Sequence, residues 1–291
     1  YFFDRRLDFP RKRAEIHDFL QNGFSVDRRC TDGSLDSLCD GEHKESISVC
    51  MKSYNIIIFI QKILREKYGA KETLLGDEGG FSPHVLAVEK RLDLMLDAIK
   101  EAGYAGKIKL GLDSAASEFF DEKNGKYVIL GEKYDRSELV DYYKDLIKKF
   151  PIISIEDGFA QDDWEGWQQF SSELGRNVQI IGDDLLVTNM MRIRKALDWR
   201  ACNSLLLKVN QIGTVTESLD AANLSFKSEW NVVVSHRSGE TEDSFIADLA
   251  VGIGASQSKF GAPARSERTA KYNRLLRIEE ELGKKAKFAR L

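Results

Sequence analysis

Cysteine is scarce in this chain of 291 residues, and its four copies, Cys30, Cys39, Cys50 and Cys202, never fall at C-x-x-C spacing. That pattern argues against a thiolate zinc site and offers no disulfide framework, so reduced thiols of a cytoplasmic protein are expected. Long apolar runs are missing as well. The most hydrophobic stretch, Ile56-Ile57-Ile58-Phe59-Ile60, is far shorter than the ~20 residues that span a bilayer. No uninterrupted apolar core follows the first charges, so no secretory leader is expected. Basic excess is also lacking, because a net charge of −4 gives no broad positive face for a nucleic acid. The local cluster Arg5, Arg6, Arg11, Lys12 and Arg13 reads as a solvated segment.

What remains is ordinary globular material, 42% hydrophobic and 31% charged, long enough for one α/β barrel. From residue 51 onward the text alternates between two periods. Met51–Tyr68 has a helical pattern that stops at Gly69, and Val88, Leu92, Met95, Leu96 and Ile99 recur at helical spacing up to Gly103. Strand-like runs follow at Ile108–Asp113, Ile152–Asp157, Val178–Asp184, Ser204–Asn210, Asn231–Arg237 and Ser256–Gly261. Helical patterns separate or follow them at Ser137–Phe150, Asp163–Leu174, Asn189–Trp199, Thr214–Trp230, Glu242–Ala255 and Arg265–Leu282. Strands alternating with helices of this length predict parallel βα units. Six units fall short of a closed eight-stranded barrel. Residues 1–50 show no clear period and are expected to be unassigned to the barrel, disordered or loosely docked.

The ends of the strand-like runs carry the chemistry. Asp113, Glu156 and Asp183 each close an apolar run, which sets three carboxylates on one rim of a parallel barrel. Oxygen-only ligands without nearby His or Cys favour magnesium over zinc. Lys208 ends the next run after three leucines, and burial beside a cation would lower its pKa toward that of a usable base. The order suggests metal-assisted proton abstraction. His236-Arg237-Ser238-Gly239 is the densest polar cluster and precedes a helix, a composition suited to phosphate. Lys259 is open between pairing with a substrate carboxylate and supporting Lys208. Gly76-Asp77-Glu78-Gly79-Gly80-Phe81 is a tight turn that can present Glu78 to a ligand.

Together these segments closely resemble the enolase family of phosphopyruvate hydratases. The resemblance rests on Gly76–Phe81, Leu112–Phe120, Ser154–Asp157, Gly182–Leu185, Leu205–Thr214, Ser235–Asp243 and Gly261–Arg268, and it runs from about residue 51 to 288. It implies a TIM-like α/β barrel of the ββαα(βα)6 type and reversible dehydration of 2-phosphoglycerate to phosphoenolpyruvate. It further implies Mg2+ held by Asp113, Glu156 and Asp183, with Lys208 as base and Glu78 as general acid. Substrate contacts from Glu156, Asp183, His236, Arg237, Ser238 and Lys259 are implied too. A cytoplasmic homodimer follows from the same resemblance.

The resemblance does not extend to residues 1–50, where the family's first two strands and the α+β domain before them would stand. A truncated chain of this kind is expected to be weakly active or inactive by itself. The alternative is an enolase-derived binding or scaffold protein that has lost turnover. Phe260, where the family has a small polar residue, is expected to crowd the pocket.

Overall fold

The computed structural model describes residues 19–20, 45–85 and 87–287. The expectation for the remainder of residues 1–50 lies outside the described residues. Within that range the chain runs β1 (Phe19–Leu20), α1 (Glu45–Tyr68), α2 (Val88–Glu101) and β2 (Leu110–Asp113). Three short strands follow, β3 (Phe120–Asp121), β4 (Lys126–Ile129) and β5 (Glu132–Tyr134). The alternating part continues with α3 (Arg136–Lys149), β6 (Ile152–Glu156), α4 (Trp164–Leu174), β7 (Gln179–Gly182) and α5 (Met190–Trp199). It ends with β8 (Ser204–Leu207), α6 (Val209–Ile212), α7 (Val215–Lys227), β9 (Asn231–Ser235), α8 (Phe245–Gly252), β10 (Gln257–Lys259) and α9 (Ser266–Leu282).

Hydrogen bonding orders one sheet as β1-β2-β6-β7-β8-β9-β10. The strands from β2 to β10 in that order are parallel, and β1 pairs antiparallel at the β2 edge, Phe19 opposite Asp113. Residues 1–50 thus supply a short strand that sequence reasoning left unassigned. The sheet is strongly curled, because side chains of strands far apart in that order meet. Gln179 of β7 and Gln257 of β10 exchange amide hydrogen bonds of 2.6 and 2.9 Å, although β8 and β9 lie between them. Side chains two apart on one strand share a face. The concave side is therefore tiered: Gln179 and Gln257 at the strand starts, a buried apolar layer of Ile181, Leu206 and Val233, and charged groups at the strand ends.

The convex side packs on the helices. Ile56, Ile60, Ile63 and Leu64 fall at helical spacing on α1 and are buried with Val88, Leu92, Met95 and Ile99 of the adjoining α2. Side-chain caps start the helices of the βα units. Asp135 and Glu138 form a reciprocal box at α3, and Asp163, Asn189 and Thr214 cap α4, α5 and α7.

Several expectations need correction. The strands at the rim end earlier than their apolar text: the run ending at Asn210 breaks after Leu207, and Val209–Ile212 makes a helical turn. The helix expected to start at Met51 begins at Glu45. The antiparallel sheet β3-β4-β5, inserted between β2 and α3, was not foreseen. It is anchored by Tyr127, fully buried among the rings of Phe119, Phe120 and Phe159. Phe260 does not crowd the concave side. Alternation sends Lys259 inward and Phe260 outward, where it is buried with its ring edge-on to Tyr272.

Candidate active site

The rim collects the predicted acids because parallel register aligns them. Asp113 stands opposite Glu156 at the ends of β2 and β6, and Asp183 follows the last residue of β7. All three are buried. Lysines from two other strand ends reach among them. Lys259 Nζ lies 2.5 Å from Glu156 Oε1 and 3.1 Å from Asp113 Oδ2, and Lys208 Nζ lies 2.5 Å from Asp183 Oδ2. Lys259 thus pairs with the protein's own carboxylates, an arrangement that neither alternative open for it had named.

This density of charge in a dry wall shifts Glu156, Lys259 and Lys208. Burial pushes Glu156 well above the usual carboxylate range, and the nearby Asp113 and Asp183 push it further. Burial pushes Lys259 well below the ammonium range. The same wall therefore disfavours ionisation of both groups. For Lys208 burial also acts downward, but Asp183 and Glu156 outweigh it and hold the ammonium above its ordinary value. The lowered pKa expected from sequence is corrected accordingly: without a compensating cation, the carboxylates win.

A second acidic group lies just behind. Asp157 adopts φ 45°, and its two carboxylate oxygens accept the backbone N–H groups of Asp183 and Asp184 at 3.0 and 2.9 Å. Burial and the facing carboxylates of Asp183 and Asp184 push it well above the usual range. Ligand oxygens of Asp157, Asp183 and Asp184 gather within 4.8 Å of one another, a spacing compatible with a cation. Asp183 Oδ1 is buried without a hydrogen-bond partner among the described residues. An orphaned anionic oxygen in such a setting is what a hard cation satisfies.

The other wall comes from the loop between α1 and α2 and the segment after β9. Glu78 is buried on that loop, which needs glycine at its neighbour: Gly79 has φ +79°, and a Cβ there would lie 2.7 Å from the Ala264 carbonyl oxygen. His236 Nε2 lies 3.4 Å from Glu78 Oε2, and the Ser238 hydroxyl lies 3.4 Å from Glu78 Oε1. Burial would raise Glu78, but contact with His236 and the charge of Arg268 more than offset it, leaving the carboxyl at about 2. His236 is held below its ordinary range, chiefly by burial. Arg237 extends outward to Asn210 Oδ1 at 3.3 Å.

The structure therefore brings the predicted residues into two adjoining groups, the carboxylate–lysine rim and the Glu78–His236–Ser238 wall. Sequence reasoning missed their supports. Thr188, at φ 56° beside Val187 at φ 43°, accepts the Lys208 backbone N–H at 3.0 Å. A β-branched pair in the left-handed region is strained, and such strain marks a constrained site. Only the position of Thr188 just after Asp183-Asp184 hinted at it. Arg268 lay inside a quoted motif but without an assigned role.

A family model for "Enolase, C-terminal TIM barrel domain" matches residues 42–290. Curated enolases align closely as well. That of Thermococcus kodakarensis is 54% identical over 241 residues, covering 82% of this chain and 55% of the relative. That of Pyrococcus furiosus is 53% identical over 248 residues, covering 84% and 57%. That of Methanococcus maripaludis is 52% identical over 238 residues, covering 82% and 55%. The chain spans little more than half the length of these relatives.

Proposed function

Because the chain belongs to the enolase family through its C-terminal TIM barrel domain, we propose that its rim takes part in a phosphopyruvate hydratase reaction, the reversible loss of water from 2-phosphoglycerate to give phosphoenolpyruvate. What supports this reading is that Asp113, Glu156 and Asp183 end neighbouring strands of one rim, with Lys259 on the first two and Lys208 on the third, and that a buried oxygen of Asp183 has no hydrogen-bond partner among the described residues. Asp113, Glu156 and Asp183 would hold magnesium, which suits three hard oxygen donors. Bound there, the ion supplies electrostatic stabilisation for the charge that builds on the substrate carboxylate as its neighbouring carbon loses a proton.

This chain's own groups do the rest. Lys208 takes that proton on Nζ, which it can do only when it is not already protonated. The carboxylate charges that keep it protonated in the free rim are the ones a divalent cation compensates. Glu78 gives a proton to the departing hydroxyl, which leaves as water. In the free protein Glu78 is a carboxylate, so the acid form must arise with substrate, whose negative charges raise a facing carboxyl. His236, Arg237 and Ser238 would receive the anionic groups, and Lys259 would orient Glu156 and Asp113. A cytoplasmic homodimer is proposed alongside, tested by light scattering of the purified chain.

The deciding assay follows phosphoenolpyruvate absorbance when purified chain meets 2-phosphoglycerate and magnesium. A rise that Lys208→Ala abolishes supports the reading. Magnesium binding with no rise would replace it with a binding or scaffold role for the chain alone.

A further inference from the structure

Helix α9 turns two buried cations, Arg268 and Lys271, toward the segment after β9. Lys271 donates to the carbonyls of Thr241 and Glu267 and lies 3.5 Å from Glu240. Arg268 is 1% exposed and donates to the carbonyls of Asp77, Arg237 and Ser238, each at 2.7 Å. One guanidinium therefore ties the turn carrying Glu78 to the segment carrying His236. Its fourth contact is the informative one, Nη1 to His236 Nδ1 at 2.6 Å.

A guanidinium has only N–H donors and keeps its charge at any pH a folded protein meets. The imidazole nitrogen facing it must therefore be an acceptor. The single ring proton then belongs on Nε2, the atom 3.4 Å from Glu78 Oε2. The backbone that carries the ring is held independently, since the His236 N–H donates to the Lys259 carbonyl at 2.9 Å. Which nitrogen of a histidine carries the proton is set by the hydrogen bond the other one makes. Here the 2.6 Å contact with a permanent buried cation governs, and the longer contact to Glu78 follows from it.

From this geometry we propose that Arg268 is a positioning residue that holds His236 as the neutral Nε2–H tautomer, so that the imidazole serves the site as a hydrogen-bond donor and not as a base. The consequence for catalysis rests on the hydratase reading: the Nε2 proton points to where Glu78 and an anionic substrate group would meet. Donation there favours the charged form of the substrate group and keeps Glu78 a carboxylate until substrate charge raises it.

The test is nuclear magnetic resonance of the full chain with 15N-labelled histidine rings. Only four histidines are present, and His236→Gln identifies the signals that matter. The expected result is an unprotonated Nδ1 and a protonated Nε2 across the neutral pH range. Glu78→Gln should preserve that signature, because Arg268 and not the carboxylate sets it. Arg268→Met should replace it with an exchanging mixture of tautomers. A proton on Nδ1 in the unaltered chain, loss of the signature in Glu78→Gln, or its persistence in Arg268→Met would each overturn the proposal. Should Arg268→Met fail to fold, the unaltered chain and Glu78→Gln decide it alone. None of these signals depends on turnover. An inactive chain with the stated tautomer would favour the binding or scaffold reading of the chain alone and leave the role of Arg268 standing.

Discussion

Gly261 sits where three parts of the site come closest. At φ +83°, a Cβ would lie 2.8 Å from Arg268 Cδ, 2.8 Å from the Glu78 carbonyl oxygen and 2.9 Å from His236 Cε1. Two of those neighbours are pinned, one of them backbone, so the clash cannot be relieved by a swinging side chain. Gly261→Ala should cost about 1–3 kcal/mol of stability, seen as a lower urea midpoint, and should misplace His236. An unchanged midpoint would show that this wall is softer than its contacts indicate. His236 and Glu78 also predict the acid response. Burial keeps His236 below the ordinary imidazole value of 6.5, so the folded chain binds fewer protons there than the unfolded one. Its contribution is complete above that value and is lost as pH falls below it. Glu78, lowered from 4.5 to about 2, contributes above 4.5 and loses that contribution as pH falls toward 2. Stability measured against pH should therefore fall in two windows. His236→Gln should remove the upper one, and an unaltered slope there would contradict the assigned burial effect.

Among the elements, the inserted antiparallel sheet is the piece whose removal would be felt without touching the rim. The Tyr127 hydroxyl donates to Asp163 Oδ2 at 2.7 Å and accepts the Ala160 N–H at 3.1 Å, and Asp163 also caps α4. Tyr127→Phe leaves two buried partners poorly satisfied and should destabilise by about 1–3 kcal/mol. Calorimetry checks this, with magnesium affinity expected to be unchanged. The sheet escaped the sequence because its strands are two to four residues long, too short for alternation to register. The βα units were legible for the opposite reason. Strands buried on both faces, such as Leu205-Leu206-Leu207, read as continuous apolar runs, and capped helices between them keep a clean period. Rim boundaries were less legible, since Val209 resumes the apolar text after Lys208 although the chain has already turned. Asp113, Glu156, Asp183 and Lys208 could be placed from strand ends alone. Arg268 could not, because its partners are carbonyls up to 191 positions away, and carbonyls leave no mark in a sequence.

Taken as a whole, the molecule is a curled sheet whose charged end is stabilised only in part by its own lysines. A cation that binds the folded chain and not the unfolded one stabilises it by mass action. At 100 times its dissociation constant, magnesium should add about 2.7 kcal/mol, which for a chain of this size is about 4–5 °C in melting temperature. Asp183→Asn should remove most of that shift, and equal shifts in both proteins would place the ion elsewhere. The two lysines give this binding a further character. Lys208 already stands against Asp183 as an ammonium, and beside Lys259 the buried Glu156 favours its protonated form. A divalent ion reaching those oxygens would not fill a vacancy but displace protons held on this rim, so protons should leave the protein as it arrives. On that account the rim would behave as an ion exchanger. Its heat of loading should depend on which buffer collects the released protons, and its grip on magnesium should tighten as the solution grows more alkaline.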